Sequence, residues 1–225
     1  MFTGPNIVTD GLVVHLDAAN VKSSLNGTSY WNNLVNTAEK FTVYGTPSYT
    51  VLNGVVCFEF NTVGDYFRID NLTSLTNSTE RTLEVYLYPA AAEIIAGDRG
   101  TVLLMTGGSQ NYVSWNKANS KLSNYWYGKN NNGYHEPGPV NIREQWHYWS
   151  STWTGSQLNQ FIDGRTYTVS NITGTSSQNT GMIVGRESSN RQFAGGIALV
   201  RVYNRALTPE EVLQNYNATK ARFGL

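Results

Sequence analysis

Arg81-Thr82-Leu83-Glu84-Val85-Tyr86-Leu87-Tyr88-Pro89 reads as a strand with both faces spoken for. Leu83, Val85 and Leu87 recur at every second residue, with Glu84, Tyr86 and Tyr88 between them. Successive side chains of a strand point to opposite faces, so three aliphatic residues meet a core and a mixed row lies on the other side. Upstream, Gly11-Leu12-Val13-Val14-His15-Leu16-Asp17 has the same period and sets Leu12, Val14 and Leu16 on one face. Similar patterns predict strands at 55–60, 66–69, 102–105, 122–127, 146–153, 157–162, 182–184 and 197–203. Turn chemistry separates them: Asn53-Gly54, Gly107-Gly108, Asp163-Gly164, Asn171 to Gly174 and Gly195-Gly196. Asp-Gly between two strand-like runs is a strong hairpin signal. Many short strands joined by such turns specify a sandwich or barrel.

One segment breaks the pattern. In Thr208-Pro209-Glu210-Glu211 a capping Thr precedes a Pro at the first helical position, with a Glu three residues after the Thr. Val212, Leu213, Tyr216 and Phe223 follow at helical spacing, which predicts a helix over 208–222 with Leu213, Tyr216 and Phe223 sealing the sandwich. The expected fold is therefore all-β, a sandwich or barrel with a short C-terminal helix. Residues 1–10 form an N-terminal arm and 11–225 the domain. Deleting the arm leaves that core pattern intact, and Phe2, Pro5, Ile7 and Val8 make it an apolar candidate for contact with another subunit. The alternative is that it folds back along its own sandwich.

At 225 residues, with 16 Lys plus Arg against 16 Asp plus Glu, the chain carries no formal net charge. Nucleic-acid binders concentrate basic residues against phosphate. Here Lys117, Lys121, Lys129, Arg143, Arg186 and Arg191 are scattered among Asn, Ser and Gly. No nucleic-acid partner is expected, and no membrane partner, since no apolar run approaches the ~20 residues that span a bilayer. Met1-Phe2-Thr3-Gly4-Pro5-Asn6 lacks the basic and apolar regions of a signal peptide. The single cysteine, Cys57, sits in an apolar run and reads as a small buried hydrophobe.

Several stretches resemble laminin-G-like jelly rolls of the concanavalin A-like lectin/glucanase superfamily. They are Gly11 to Asn20; Arg81 to Pro89, with Tyr86 where the family usually has Trp; Gln145-Trp146-His147-Tyr148-Trp149 leading to Phe161-Ile162-Asp163-Gly164; and Phe193 to Glu211. The resemblance implies that the all-β fold takes the form of a two-sheet antiparallel jelly-roll sandwich. Ala198 and Leu199 stand where many members carry an Asp-Glu pair, so any role of those acids is missing here. The start, Gly4 to Leu12, and the end, Gln214 to Leu225, are similar to laminin-G-like proteins of tailed bacteriophages. That resemblance implies a virion protein (head decoration, fibre or tail-associated), made in the host cytoplasm, assembling with itself or with other virion proteins and contacting host glycan. A free-standing carbohydrate-binding lectin is the second reading, and a glycoside hydrolase a distant third.

Catalysis is not expected. Glycosidases of this superfamily need two carboxylates across one bond. Glu84 is followed on its own face by Tyr86 and Tyr88. His15 and His147 read as packed or paired imidazoles within strands. His135 has no zinc spacing. The resemblance implies calcium at the sandwich rim, but isolated Asp65 and Asp98 fall short of the six to eight oxygens calcium takes. No cofactor and no metal ligand are therefore assigned. The candidate binding residues, for glycan or for a protein partner, are Tyr112, Trp115, Tyr125, Trp126, Tyr127, Tyr134 and His135. Aromatic rings among Asn, Gly and Ser suit both.

Overall fold

Both faces of the strand around Glu84 are buried, and that decides how the molecule is layered. The computed structural model describes residues 5–24, 29–75, 80–92, 94, 99–107, 111–117, 120–126, 142–169, 179–187 and 190–225. In chain order, the elements begin with β1 (Leu12–Asp17), a single helical turn α1 (Val21–Ser24), β2 (Tyr30–Asn32), β3 (Lys40–Tyr44), β4 (Ser48–Leu52), β5 (Val55–Phe60) and β6 (Tyr66–Ile69). Then come β7 (Arg81–Pro89), β8 (Arg99–Thr106), β9 (Asn111–Asn116), β10 (Lys121–Trp126) and β11 (His147–Trp153). Last are β12 (Leu158–Ile162), β13 (Arg165–Val169), β14 (Gly181–Val184), β15 (Gly195–Tyr203) and helix α2 (Pro209–Thr219).

The strands form two antiparallel sheets, consistent with a jelly-roll sandwich. The first runs β13-β12-β11-β7-β15-β5-β4, and β1 joins it by pairing with the later half of β15. The second runs β10-β9-β8-β14-β6-β3-β2. The predicted 55–60 and 66–69 strands are β5 and β6. Strands β2, β3, β4, β9 and β13 lie outside the predicted set, because their alternation is short or mostly polar. At the β12–β13 hairpin Asp163 and Gly164 both take positive φ, 49° and 80°, the two-residue turn that an Asp-Gly pair specifies. Gly195 is needed for space: a Cβ there would lie 2.0 Å from the Tyr88 carbonyl oxygen.

Between the sheets lies an aromatic-rich core. Trp31, Phe41, Phe58, Phe60, Phe67, Trp115 and Trp149 pack with Val14, Leu16, Leu83, Val85, Leu87, Val200 and Val202. A bulge between Leu12 and Val14 shifts the register of β1. Val13 therefore joins Val14 and Leu16 in this core, while Leu12 packs against the second cluster.

That second cluster covers the outer face of the first sheet. Tyr86, Trp146, Tyr148, Phe161, Leu199 and Tyr203 meet Val212 and Phe223. The ring of Phe223 stacks on Tyr86 at 3.7 Å and 11°. The capping box forms as the sequence predicts, with the Thr208 hydroxyl accepting from the Glu211 N–H and Glu211 accepting from the Thr208 N–H. Helix α2 ends at Thr219 and tightens into a 3-10 turn over Lys220–Phe223. The tightened turn lets Arg222 fork onto Asp17 of β1 at 2.6 and 2.7 Å. Leu213 departs from expectation: it is 45% exposed, and Asn215 takes the inward place.

Asn215 faces inward because the sheet beneath it is charged. Glu84 is 0% exposed and Arg201 1%. Glu84 accepts from Arg201 at 3.1 Å, from the Tyr148 hydroxyl at 2.8 Å and from the Asn215 amide at 2.8 Å. Asn215 also accepts from the Val8 N–H at 2.7 Å, and the Tyr203 hydroxyl donates to the Val8 carbonyl at 3.0 Å. The Gln214 amide donates to the Asn6 carbonyl at 2.7 Å. The arm therefore folds back on its own helix. Val8, a candidate for an intermolecular contact, is buried within the chain; Ile7 is half-buried and Pro5 exposed, while Phe2 lies outside the described residues.

Removing one partner of an enclosed ion pair leaves the other charge uncompensated, at a cost of about 3–5 kcal/mol. Glu84→Gln and Arg201→Met are each expected to lose stability on that scale in urea unfolding, and the double variant to lose clearly less than the sum. Additive losses would mean the two groups act independently.

Burial, and then the Arg201 guanidinium, push the His15 imidazole down from 6.5 to about 4, against the pull of Asp17. Arg222 adds to the depression. The unfolded chain therefore takes up this proton first as pH falls. Stability attributable to His15 is fully present above about 6.5 and falls as pH drops toward 4, at up to about 1.4 kcal/mol per pH unit. His15→Gln is expected to flatten the pH dependence of the urea midpoint in that window, and an unchanged slope would exclude His15 as its source.

Candidate functional site

With helix α2 and the arm lying over the outer face of the first sheet, the outer face of the second is the other broad surface. One rung of backbone pairing crosses that sheet from edge to edge. It passes through Tyr30, Thr42, Arg68, Ile183, Leu104, Tyr112 and Tyr125. Leu104 and Ile183, 3% and 9% exposed, form a small covered apolar cluster on that side, with Tyr66 and Tyr125 packed against it. Alternation on β6 turns Phe67 and Ile69 into the core, which leaves Tyr66 and Arg68 on the outer side.

Tyr66 sits directly across from Tyr44 of β3. Their rings stack at 4.5 Å and 3°, and the Arg186 guanidinium lies over Tyr66 at 5.3 Å from the ring centre. Tyr44 is 40% exposed. Beside this stack a cleft of about 210 Å³ is lined by Tyr66, Arg68, Ile183, Arg186 and Glu187. Arg68, 42% exposed, pairs with Asp70 at 2.6 Å, a bond that raises the guanidinium pKa. Glu187 pairs with Arg191 at 3.3 Å and accepts from the Thr101 hydroxyl at 3.3 Å.

The rim of the cleft is fixed from below. The Gln192 side chain accepts from the Gly64 N–H at 2.7 Å and donates to the Thr62 carbonyl at 2.6 Å. Gln192 also bridges to Arg186 through the backbone. It thereby ties the loop before β6 to the loop after β14. Asp65 is fully enclosed and accepts from the Thr46 N–H at 2.7 Å and the Thr62 N–H at 2.9 Å, adding the loop after β3. Both oxygens of the one described candidate for the calcium implied by family resemblance are thus committed to backbone donors. Asp98 lies outside the described residues, and among those described no group of three or more His, Cys, Asp or Glu could hold a metal. The donor set does not fit a calcium site at Asp65.

Of the aromatic residues singled out in the sequence, Tyr125 reaches this face. Trp115 does not: it is 1% exposed and packs in the core, with the Arg143 guanidinium 5.1 Å over its ring. The reason is parity. Trp115 shares the inward side of β9 with Val113. Tyr127, Tyr134 and His135 lie outside the described residues, as do the side chains of Tyr112 and Trp126. Tyr44, Tyr66, Arg68, Arg186 and Glu187 were not among the sequence candidates. Alternation does mark Tyr66 and Arg68 as outward, but nothing local to the sequence sets β3 beside β6 or returns Arg186 to the same place.

Glu84 lies on the opposite sheet beneath α2, with Arg201 and Ser150 as its cross-strand neighbours. His147 is paired with Asp163 at 2.6 Å. Cys57 is buried, and burial pushes its thiol up to about 12.

The laminin-G-like model described as the concanavalin A-like lectin/glucanases superfamily matches residues 61–213. The chain belongs to this superfamily. Among solved structures, this superfamily domain is similar to a Trypanosoma rangeli sialidase in complex with the inhibitor DANA, at TM-score 0.69 and 14% identity. That match covers 96% of this chain and 34% of the sialidase, so the superfamily domain spans about a third of that enzyme's length. Domain 4 of AbnA, a GH43 extracellular arabinanase from Geobacillus stearothermophilus solved with arabinotriose, gives TM-score 0.66 and 15% identity, covering 91% of this chain and 97% of that one. The receptor binding domain of botulinum neurotoxin C/D mosaic serotype gives 0.66 and 11%, covering 93% of this chain and 51% of the other. No curated protein matches in sequence.

Proposed function

We propose that this chain is a non-enzymatic glycan-binding module whose outer face on the second sheet holds the saccharide, and that it serves on the surface of a bacteriophage virion. The observation that carries the binding reading is the Tyr44–Tyr66–Arg186 stack beside a cleft whose three rim loops are already tied together. Aromatic side chains offer apolar surface to the C–H side of a sugar, while guanidinium and carboxylate groups bind its hydroxyls. A fixed rim spares the ordering cost that weakens binding by mobile loops. The fold neighbour crystallised with arabinotriose agrees with a carbohydrate ligand in kind.

The non-enzymatic part rests on Glu84, which is enclosed by Tyr148, Asn215 and Arg201 and has no carboxylate beside it. A general acid or nucleophile must reach the bond it cleaves. The virion part rests on the resemblance of residues 4–12 and 214–225 to phage laminin-G-like proteins. Those two ends pack together on the covered sheet, through Asn215 on Val8 and Gln214 on Asn6. Assembly through that side would leave the cleft side free for host glycan.

Binding to a glycan panel followed by titration checks the site. Tyr66→Ala is expected to weaken the best glycan at least about fivefold, given the ~1 kcal/mol an aromatic contact is worth. Unchanged affinity in Tyr66→Ala and Tyr44→Ala would remove this face from the reading. Polysaccharide hydrolysis by the purified chain would overturn the non-enzymatic part. Gold labelling of purified particles tests the virion part.

A further inference from the structure

The charges of the cleft are unevenly matched. Arg68 has Asp70, and Glu187 has Arg191. Arg186 reaches no carboxylate among the described residues; its guanidinium lies over the Tyr66 ring. Its backbone is held by the bridge to Gln192, and its side chain lines the cleft. A cation over a ring is attracted by the ring's quadrupole, but that contact leaves the planar fork of N–H donors unsatisfied by acid.

We infer that the saccharide bound here carries a carboxylate, which Arg186 receives while the sugar ring lies along the cleft wall at Ile183 and the edge of the Tyr66 ring. This deepens the glycan-binding reading and rests on it. Arginine binds a carboxylate through two parallel charge-assisted hydrogen bonds, roughly twice as strong as neutral ones. The cleft wall strengthens that preference, because Ile183 and the Tyr66 ring displace water from one side of the ion pair. A neutral sugar seated in the same place would strip water from Arg186 and return no charge to it, and that cost discriminates against it. Glu187 sets the orientation: among the described residues it is the one acid lining the cleft, and it repels the carboxylate from its side while accepting sugar hydroxyls. At about 210 Å³ the cleft lies below the ~300–1,000 Å³ of pockets for drug-sized ligands, so it holds one acidic ring of a longer chain.

The experiment titrates the full chain with methyl glycosides of glucuronic, galacturonic and N-acetylneuraminic acid. Each is paired with its neutral methyl ester, and methyl glucoside 6-sulfate is included. Chemical-shift changes at the cleft give the affinities. At least one acid is expected to bind about tenfold or more tightly than its ester. Arg186→Gln is expected to reduce that ratio to within about threefold, with an unchanged melting temperature, whereas Tyr66→Ala weakens acid and ester together. If acid and ester bind equally and Tyr66→Ala weakens both, the carboxylate inference is overturned and the glycan reading stands. An acid preference that survives Arg186→Gln, or a sulfated sugar preferred to every acid, also overturns it. Failure of every saccharide and of the glycan panel overturns both.

Discussion

A carboxylate and a guanidinium enclosed between a sheet and a helix constrain this structure more than any other pair. Taking two charges out of water costs several kcal/mol per ion, and their attraction offsets this only when geometry and further hydrogen bonds are good. Glu84 has those bonds from Tyr148 and Asn215, and Asn215 reaches Glu84 because α2 lies across the sheet. The helix is thereby placed by a polar requirement as well as by apolar area. Val212 and Phe223 would pack at several offsets along a row of rings, whereas Asn215 satisfies Glu84, Tyr203 and Val8 at one. Arg222 on Asp17 fixes the far end of the same segment.

Covering one sheet in this way has a consequence for the other. The outer side of the second sheet has a small buried apolar cluster at Leu104 and Ile183, covered at its edges by Tyr66 and Tyr125. Around it stand hydrophilic side chains at Thr42, Arg68 and Arg186. A sheet face whose aliphatic side chains are this far covered is compatible with solvent. The rim loops are tied by Gln192 and Asp65, both fully buried, so the cleft keeps its shape without a ligand.

The sandwich itself was legible from period-two alternation, and β5 and β6 fall where it predicts. The capping box over Thr208 to Glu211 was legible too, because both halves of that signal lie within four residues. What escaped has a common cause. Leu213 and Asn215 exchange expected roles because a helical pattern weighs hydrophobicity, and the demand for an amide comes from Glu84, far away in the chain. Trp115 resembled a binding residue by type, but strand parity, set by Val113 beside it, decides its face. Tyr44, Tyr66 and Arg186 come from three segments that the sheet order unites, and no local pattern encodes that order.

Arginine separates the two sides of the molecule by what surrounds it. Arg201 is enclosed with Glu84, and its charge is matched within the sheet beneath α2. Arg222 on Asp17 and Arg205 on Glu211 are half-open forks, each closing a junction of the C-terminal segment. On the second sheet the guanidiniums lie at a cleft: Arg68 stays 42% exposed beside Asp70, and Arg186 meets a ring and no acid among the described residues. A charge that must be matched for the fold to form is buried with its partner, since leaving it unmatched would cost more than most single interactions contribute. A charge left on an aromatic wall at the surface retains donors for something outside the chain. By that criterion the covered sheet uses its charge to maintain the structure, and the cleft keeps guanidinium donors open to solvent.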